Sequence, residues 1–421
     1  MRLAVSTRGT DEASGAPPLG GATEPPQGSS APHPELASAP MWRREPYRLF
    51  FPLGVLLAWA GVLHWLLLAT LGVGTYNSIF HSIAQVQGFM MCFAVGFLFT
   101  AIPRRTGTAP PSSWTVAVGL GAPVATTIAA WFERYAVSQT FWFLLVVTLI
   151  AFAVRRFRSA HAGRRPPNGF VWIPLALLMG LTGSGLMGAF GVLGREYFWL
   201  HELGKGLLLQ GLFLGLVLGV GSMVIPLITR GDAPPDASPS PRDRLVRLAH
   251  LAGALLLVAS FVLEVRVDPR LGFALRALVV LTVLALAARA WRLPQLPGLH
   301  RKVIWVAAWL LPLGYVGAAI WPQYRMAALH LVFLGFAAMA LAVGVHVTLA
   351  HGGYQRLVRQ TPAPVVVMSV LLALALVARV LVNTDPARMW LWMGLASGAF
   401  LIATLAWAAV TLPRTWREAR E

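Results

Sequence analysis

From Tyr47 to about residue 411 the chain is a succession of apolar runs of about twenty residues, divided by short polar stretches. A helix of that length covers the hydrocarbon of a bilayer. Backbone amides must be satisfied within the segment in lipid, and the alternating pattern of barrel strands is absent, so the runs are read as helices. The predicted spans are 48–70, 77–103, 114–131, 139–155, 170–192, 199–229, 245–264, 271–290, 303–321, 326–350, 364–383 and 389–411. The expected fold class is all-α: a polytopic integral membrane protein of about twelve transmembrane helices. Composition agrees. The 421 residues are 57% hydrophobic and 12% charged, against about 25% charged in soluble domains. One soluble core could not hide so much apolar surface. Global disorder is excluded for the same reason, and a collagen repeat and a coiled coil because the sequence has no Gly-X-Y period and no sustained heptad pattern.

Three segments follow. Residues 1–46 are rich in Pro, Ala, Gly and Ser, lack the apolar run of a signal peptide, and are expected to form a disordered tail. Residues 47–412 form the membrane domain and 413–421 a short C-terminal tail. Cys92, the single cysteine, excludes an internal disulfide framework and a Cys-rich metal site.

The formal net charge of +18 would suggest nucleic acid in a soluble protein. In a membrane protein its distribution labels sidedness instead. With the N-terminal tail in the cytoplasm, 23 of the 34 basic residues fall on cytoplasmic segments. Nine fall on the external side or outer helix ends: Arg134, Arg195, Lys205, Arg266, Arg270, Arg276, Arg325, Arg379 and Arg388. Arg2 and Arg8 make up the rest. This asymmetry predicts a multi-pass membrane protein with both termini cytoplasmic, and no nucleic-acid partner.

The second, sixth and tenth spans share an outline: a histidine near the outer end, small residues in the middle, and a polar exit with glycine (101–107, 224–231, 349–353). Spacing by four helices suits three four-helix units.

Imidazole and ionisable groups within membrane helices are costly and so mark function by default. His81, His201 and His330 each lie about one turn inside the outer end of their helix, at one level. Neutral imidazole ligates haem iron or copper; each of these residues could equally bond a carbonyl or a lipid headgroup. His64 is read as a buried structural residue. His346 falls on the face opposite His330, and His351 at the end of that span. His161, His250 and His300, at loops or helix ends, are read as solvated. Lys205 shares a face with His201, and Arg276 and Arg379 lie in the same outer layer. These cations suit carboxylates such as haem propionates, or snorkel to lipid phosphate; Glu196, Glu202 and Glu264 are available counter-ions. Gln85 and Gln87 could orient an imidazole or tie neighbouring helices. Met90, Met91 and Cys92 point to different helix faces and read as core. The glycines at 204, 206, 211, 215, 219 and 221 permit close helix approach or leave room for a flat cofactor. No Walker loop, mid-membrane acid or hydrolase motif is present, which argues against a pump, a proton-coupled transporter and a hydrolase.

Several blocks resemble the NnrS family: 46–59, FHSIAQVQGF (80–89) leading to GFLFTAIPRRTG (96–107), GVGSMVIPLITRG (219–231), LPLGYVGAA (311–319) and 328–353. The resemblance implies a protein of the bacterial inner membrane with about twelve helices, containing haem and copper and linked to nitric-oxide resistance. It carries His81, His330 and His351 over as metal-site positions. Departures stand beside it: Phe80, Ile83 and Ala84 replace a Trp, a His and a Glu of the family's second span, and Pro312 replaces a His of the ninth. A more distant likeness is architectural. Haem-copper oxidase catalytic subunits also have twelve helices in three arcs, with outer histidines on the second, sixth and tenth.

The combined reading is an NnrS-like membrane protein binding haem, with copper as a second metal, and a small gas such as nitric oxide as ligand. His81, His201, His330 and His351 are the metal candidates; Lys205, Arg276 and Arg379 complete the cofactor site. A metal-free transporter or structural membrane protein is the alternative.

Overall fold

The computed structural model describes residue 35 and residues 38–159, 166–193, 195–232 and 234–417. His33, His161 and most of the expected N-terminal tail lie outside the described residues. Twelve helices are long and apolar enough to cross a membrane. They are α1 Tyr47–Leu71, α2 Ser78–Thr106, α3 Ser113–Trp131, α4 Tyr135–Arg158, α5 Asn168–Ala189, α6 Phe198–Arg230, α7 Pro241–Arg266, α8 Pro269–Leu286, α9 Leu299–Ile320, α10 Pro322–His351, α11 Ala363–Thr384 and α12 Pro386–Thr415. There is no strand among the described residues. The all-α polytopic expectation holds.

Polar caps set the start of several helices. Ser112 accepts from the Thr115 amide, Ser240 from Asp243, and Asp268 from Arg270 and Leu271. Each cap satisfies an amide that the first turn leaves unpaired. α8 ends at Leu286, short of the predicted residue 290. Arg289 takes a left-handed φ of 49°, and the chain turns back. The Gln295 and Leu296 amides then donate to the Thr229 carbonyl at the end of α6.

We describe the bundle with the start of α1 and the end of α12 at the bottom, where the Arg48 guanidinium on α1 reaches the Thr415 carbonyl on α12. α2, α6 and α10 form the interior. Of their most apolar eighteen residues, 83%, 78% and 67% are buried, more than in any other helix. These are the helices that the sequence outline singles out at intervals of four. The glycines of α6 serve close approach. A Cβ on Gly204 would stand 2.6 Å from the Gly183 carbonyl of α5, and one on Gly215 would stand 2.7 Å from Ala176. Removing the side chains lets backbones touch where lipid provides no hydrophobic drive between helices.

Both α2 and α6 contain wide π-helical turns, at Ile83–Met90 and Leu207–Gly211. Each follows a histidine of the outer layer, His81 or His201. Such turns recur at functional sites because they shift the face that the following residues present.

Before α1, Met41–Arg44 forms a helical turn, and Arg43 donates to the Pro111 carbonyl at 2.8 Å. Glu45 then accepts from Arg48, Arg104 and Tyr47. This carboxylate ties α1 to the lower end of α2. Burial alone would raise its pKa, but the Arg48 and Arg104 guanidiniums outweigh that and hold it below its ordinary value.

Candidate functional site

The upper half of the bundle encloses a cavity of about 660 Å³, within the ~300–1,000 Å³ usual for small-molecule sites. His81 of α2, His201 and Lys205 of α6, His330 of α10 and Arg379 of α11 all line it. The depth argument thus brings three imidazoles from three helices to one chamber. Most of the remaining wall is apolar.

His81 and His330 are held alike. His81 Nδ1 lies 2.7 Å from the Gly61 carbonyl of α1, and His330 Nδ1 lies 2.6 Å from the Met326 carbonyl one turn back. A carbonyl only accepts, so each Nδ1 carries the proton and donates. Each Nε2 is then left with its lone pair, the state in which imidazole binds a metal. A backbone carbonyl on the other ring nitrogen is the usual support for a ligating histidine. His64, 7% exposed, packs its ring against Trp65, Phe80 and His81 as a structural neighbour.

Gly61 does more than accept this bond. A Cβ there would fall 2.5 Å from Gln85 Nε2 and 2.8 Å from Ala84 Cβ. Its bare backbone lets α1 and α2 approach so that Gln85 reaches the Ala58 carbonyl at 2.8 Å. Gly61→Ala should therefore separate the two helices and lower stability by about 1–3 kcal/mol, the usual range for overpacking. A thermal melt unchanged from that of the parent protein would contradict this close-packing argument.

The cations of the outer layer divide. Arg379 donates to Asn383 at 2.9 Å and has no ion-paired carboxylate among the described residues. Lys205 stands 3.5 Å from Glu202. Arg276 does not line the cavity. It is fully buried behind the wall, 2.6 Å from Glu264, and donates to Gln210 Oε1 at 2.9 Å. Gln210 does line the cavity, so Arg276 acts on it only through that amide. Gln87 pairs reciprocally with Gln139 of α4, at 2.9 and 3.0 Å. Neither Gln85 nor Gln87 orients an imidazole; both tie neighbouring helices.

His351 lies at the other end of α10. With a rise of 1.5 Å per residue it stands about 30 Å along the helix from His330, so the two share no ion. There it accepts from Arg104 at 3.0 Å, beside Glu45. The expectation that His300 is solvated is corrected: it is 1% exposed and its Nε2 lies 3.2 Å from His346 Nδ1. The two rings satisfy each other between α9 and α10. His250 accepts from the Trp172 indole at 3.1 Å. Among the described residues no group of three or more His, Cys, Asp or Glu side chains is close enough to hold one ion.

The family model for NnrS protein matches residues 41–418, which include all twelve helices and the cavity. The chain belongs to the NnrS family. No curated protein matches it. In this NnrS chain the match begins at Met41, the first residue of the turn that delivers Glu45 to the lower end of the bundle. What sequence reasoning missed is Glu45, which reads as part of the tail, and Gln210, whose link to Arg276 needs the facing of three helices.

Proposed function

We propose that this NnrS-family membrane protein binds haem in the upper cavity and serves in the response to nitric oxide or respiratory stress. The observation that carries the reading is the matched pair of imidazoles, each with Nδ1 donated to a carbonyl and Nε2 left as a lone pair. The donor set fits the group. His81 and His330 would hold the iron through their free ring nitrogens, with His201 a third imidazole on the wall. Arg379 and Lys205 are the cations for propionates, since carboxylates and guanidiniums pair well. The apolar wall suits a macrocycle. Haem, when bound, supplies an iron that takes small gaseous ligands and changes oxidation state. Haem asks for one or two imidazoles and copper for two or three, so the reading favours haem as the primary group and copper as secondary. Protein purified from membranes without added cofactor is expected to show a Soret band and bound iron. Absence of both, after growth with ample iron, would favour the metal-free transporter or structural reading.

The lower end, with the start of α1 and the end of α12, is assigned to the cytoplasmic side of the inner membrane on the basic-residue asymmetry. Cys92 is fully buried, so the parent carries no accessible thiol among the described residues. Val73→Cys, in the upper α1–α2 loop, should react in intact cells with a maleimide that does not cross the inner membrane. Gln360→Cys, in the lower α10–α11 loop, should react only after lysis. The reverse pattern would invert the topology.

A further inference from the structure

A second cavity lies directly below the first, between the lower halves of the same three helices. It measures about 130 Å³. On α2 it takes over where the upper cavity ends, and Met90 lines both. On α6 the same handover occurs, from Gln210 to Phe213, and on α10 the two linings meet at Phe336, which faces the lower cavity, and Ala337, which faces the upper. The Phe213 and Phe336 rings, with centroids 6.1 Å apart, belong to the lower lining.

All eighteen lining residues are hydrophobic or glycine. Water in such a space would lack the two to four polar partners it needs, and an apolar cavity of ~150 Å³ in a protein stays dry and takes xenon or benzene. The volume excludes a folded cofactor, and the lining excludes any ion or polar solute. The space is partly open, with Val217, Val220 and Val343 half-buried beside it; at this depth along helices long enough to cross a membrane the opening would meet lipid, where uncharged gases concentrate. We propose that the lower cavity is a binding site for lipid-soluble diatomic gases, placed between the bilayer and the floor of the upper cavity. This rests on the lower lining alone and stands whether or not the upper cavity holds haem.

The probe is xenon, which has the size and polarisability of such a guest and needs no iron. Crystals of the purified protein grown in lipid and pressurised with xenon should give an anomalous peak among Met90, Phe213 and Ala340. Ala340→Phe and, independently, Ala94→Leu fill the space from two helices. Each should cut xenon occupancy at least tenfold while leaving haem content unchanged. A parent protein with no xenon peak there would overturn the proposal, as would a lipid or detergent tail in the space, or a peak that survives both fillings. If neither variant folds, the parent crystal decides alone. A parent protein that carries no haem yet shows the xenon peak would count against the haem reading and leave this one standing.

Discussion

His81→Ala and His330→Ala should each shift or weaken the Soret band of the purified protein, and the double variant should lose at least nine-tenths of its haem. The two residues come from different helices, and each presents one unprotonated ring nitrogen because a carbonyl takes the other. Removing a ligating ring removes a bond to iron; a tenfold loss of affinity corresponds to about 1.4 kcal/mol. Added imidazole should restore part of the band in each single variant, since the space left by the side chain opens on the upper cavity. A purely structural histidine behaves differently. Its loss costs one hydrogen bond, about 0.5–1.5 kcal/mol of stability, and leaves the spectrum unmoved. His250→Ala is the control: this residue accepts from Trp172 and does not line the cavity. An unchanged spectrum in both His81→Ala and His330→Ala would refute the ligand assignment.

Glu45→Gln should be among the most destabilising single substitutions outside the membrane core. Arg48, 1% exposed, has its Nε 2.5 Å from the Glu45 carboxylate. Glutamine keeps the size and removes the counter-charge, leaving a buried guanidinium uncompensated. Breaking a buried pair in this way costs about 3–5 kcal/mol. The lower part of that range applies, because Arg104, on the other carboxylate oxygen, is 40% exposed and can turn to water. The pH dependence has a definite sign. The folded carboxyl is held below its ordinary value of 4.5, so the stabilisation is complete above that value. It is lost as pH falls from 4.5 through the folded pKa, where the native carboxylate takes up its proton. Glu45→Gln should flatten stability between neutral pH and that window. Pairing it with Arg48→Met should recover part of the loss, because the orphaned charge goes too. A melting temperature within about 1 °C of the parent's would contradict this; 1 kcal/mol alone shifts a domain of 150–250 residues by about 2–4 °C.

Depth was legible in the sequence, and direction was not. Apolar length and the rise per residue place a side chain along the membrane normal, which is why His81, His201 and His330 meet in one cavity as the shared level implied. Facing around the helix depends on neighbours. Arg276 has the right depth for the site, yet Glu264, Gln210 and Ser260 draw it behind the wall. His300 sits at a helix start that would usually be wet, yet it turns inward onto His346. His351 belongs with the lower ionic cluster because α10 runs the full thickness of the bundle. The π-helical turns in α2 and α6 escape a reading built on a 3.6-residue period, since they change that period locally. Glu45 is invisible for a different reason: five residues of turn after a Pro-rich tail carry no periodicity, and its partners lie 3, 59 and 306 positions away.

The central claim is that one chamber in the upper half of the bundle is the cofactor site. Its most direct test is the experimental density of protein purified from membranes, reconstituted in lipid and imaged without added cofactor. A planar group in the upper cavity, in contact with His81 or His330 and with an anionic edge toward Arg379, is the expected result. Haem found anywhere else in the protein, or an upper cavity filled by lipid alone in a sample with stoichiometric iron, would contradict it.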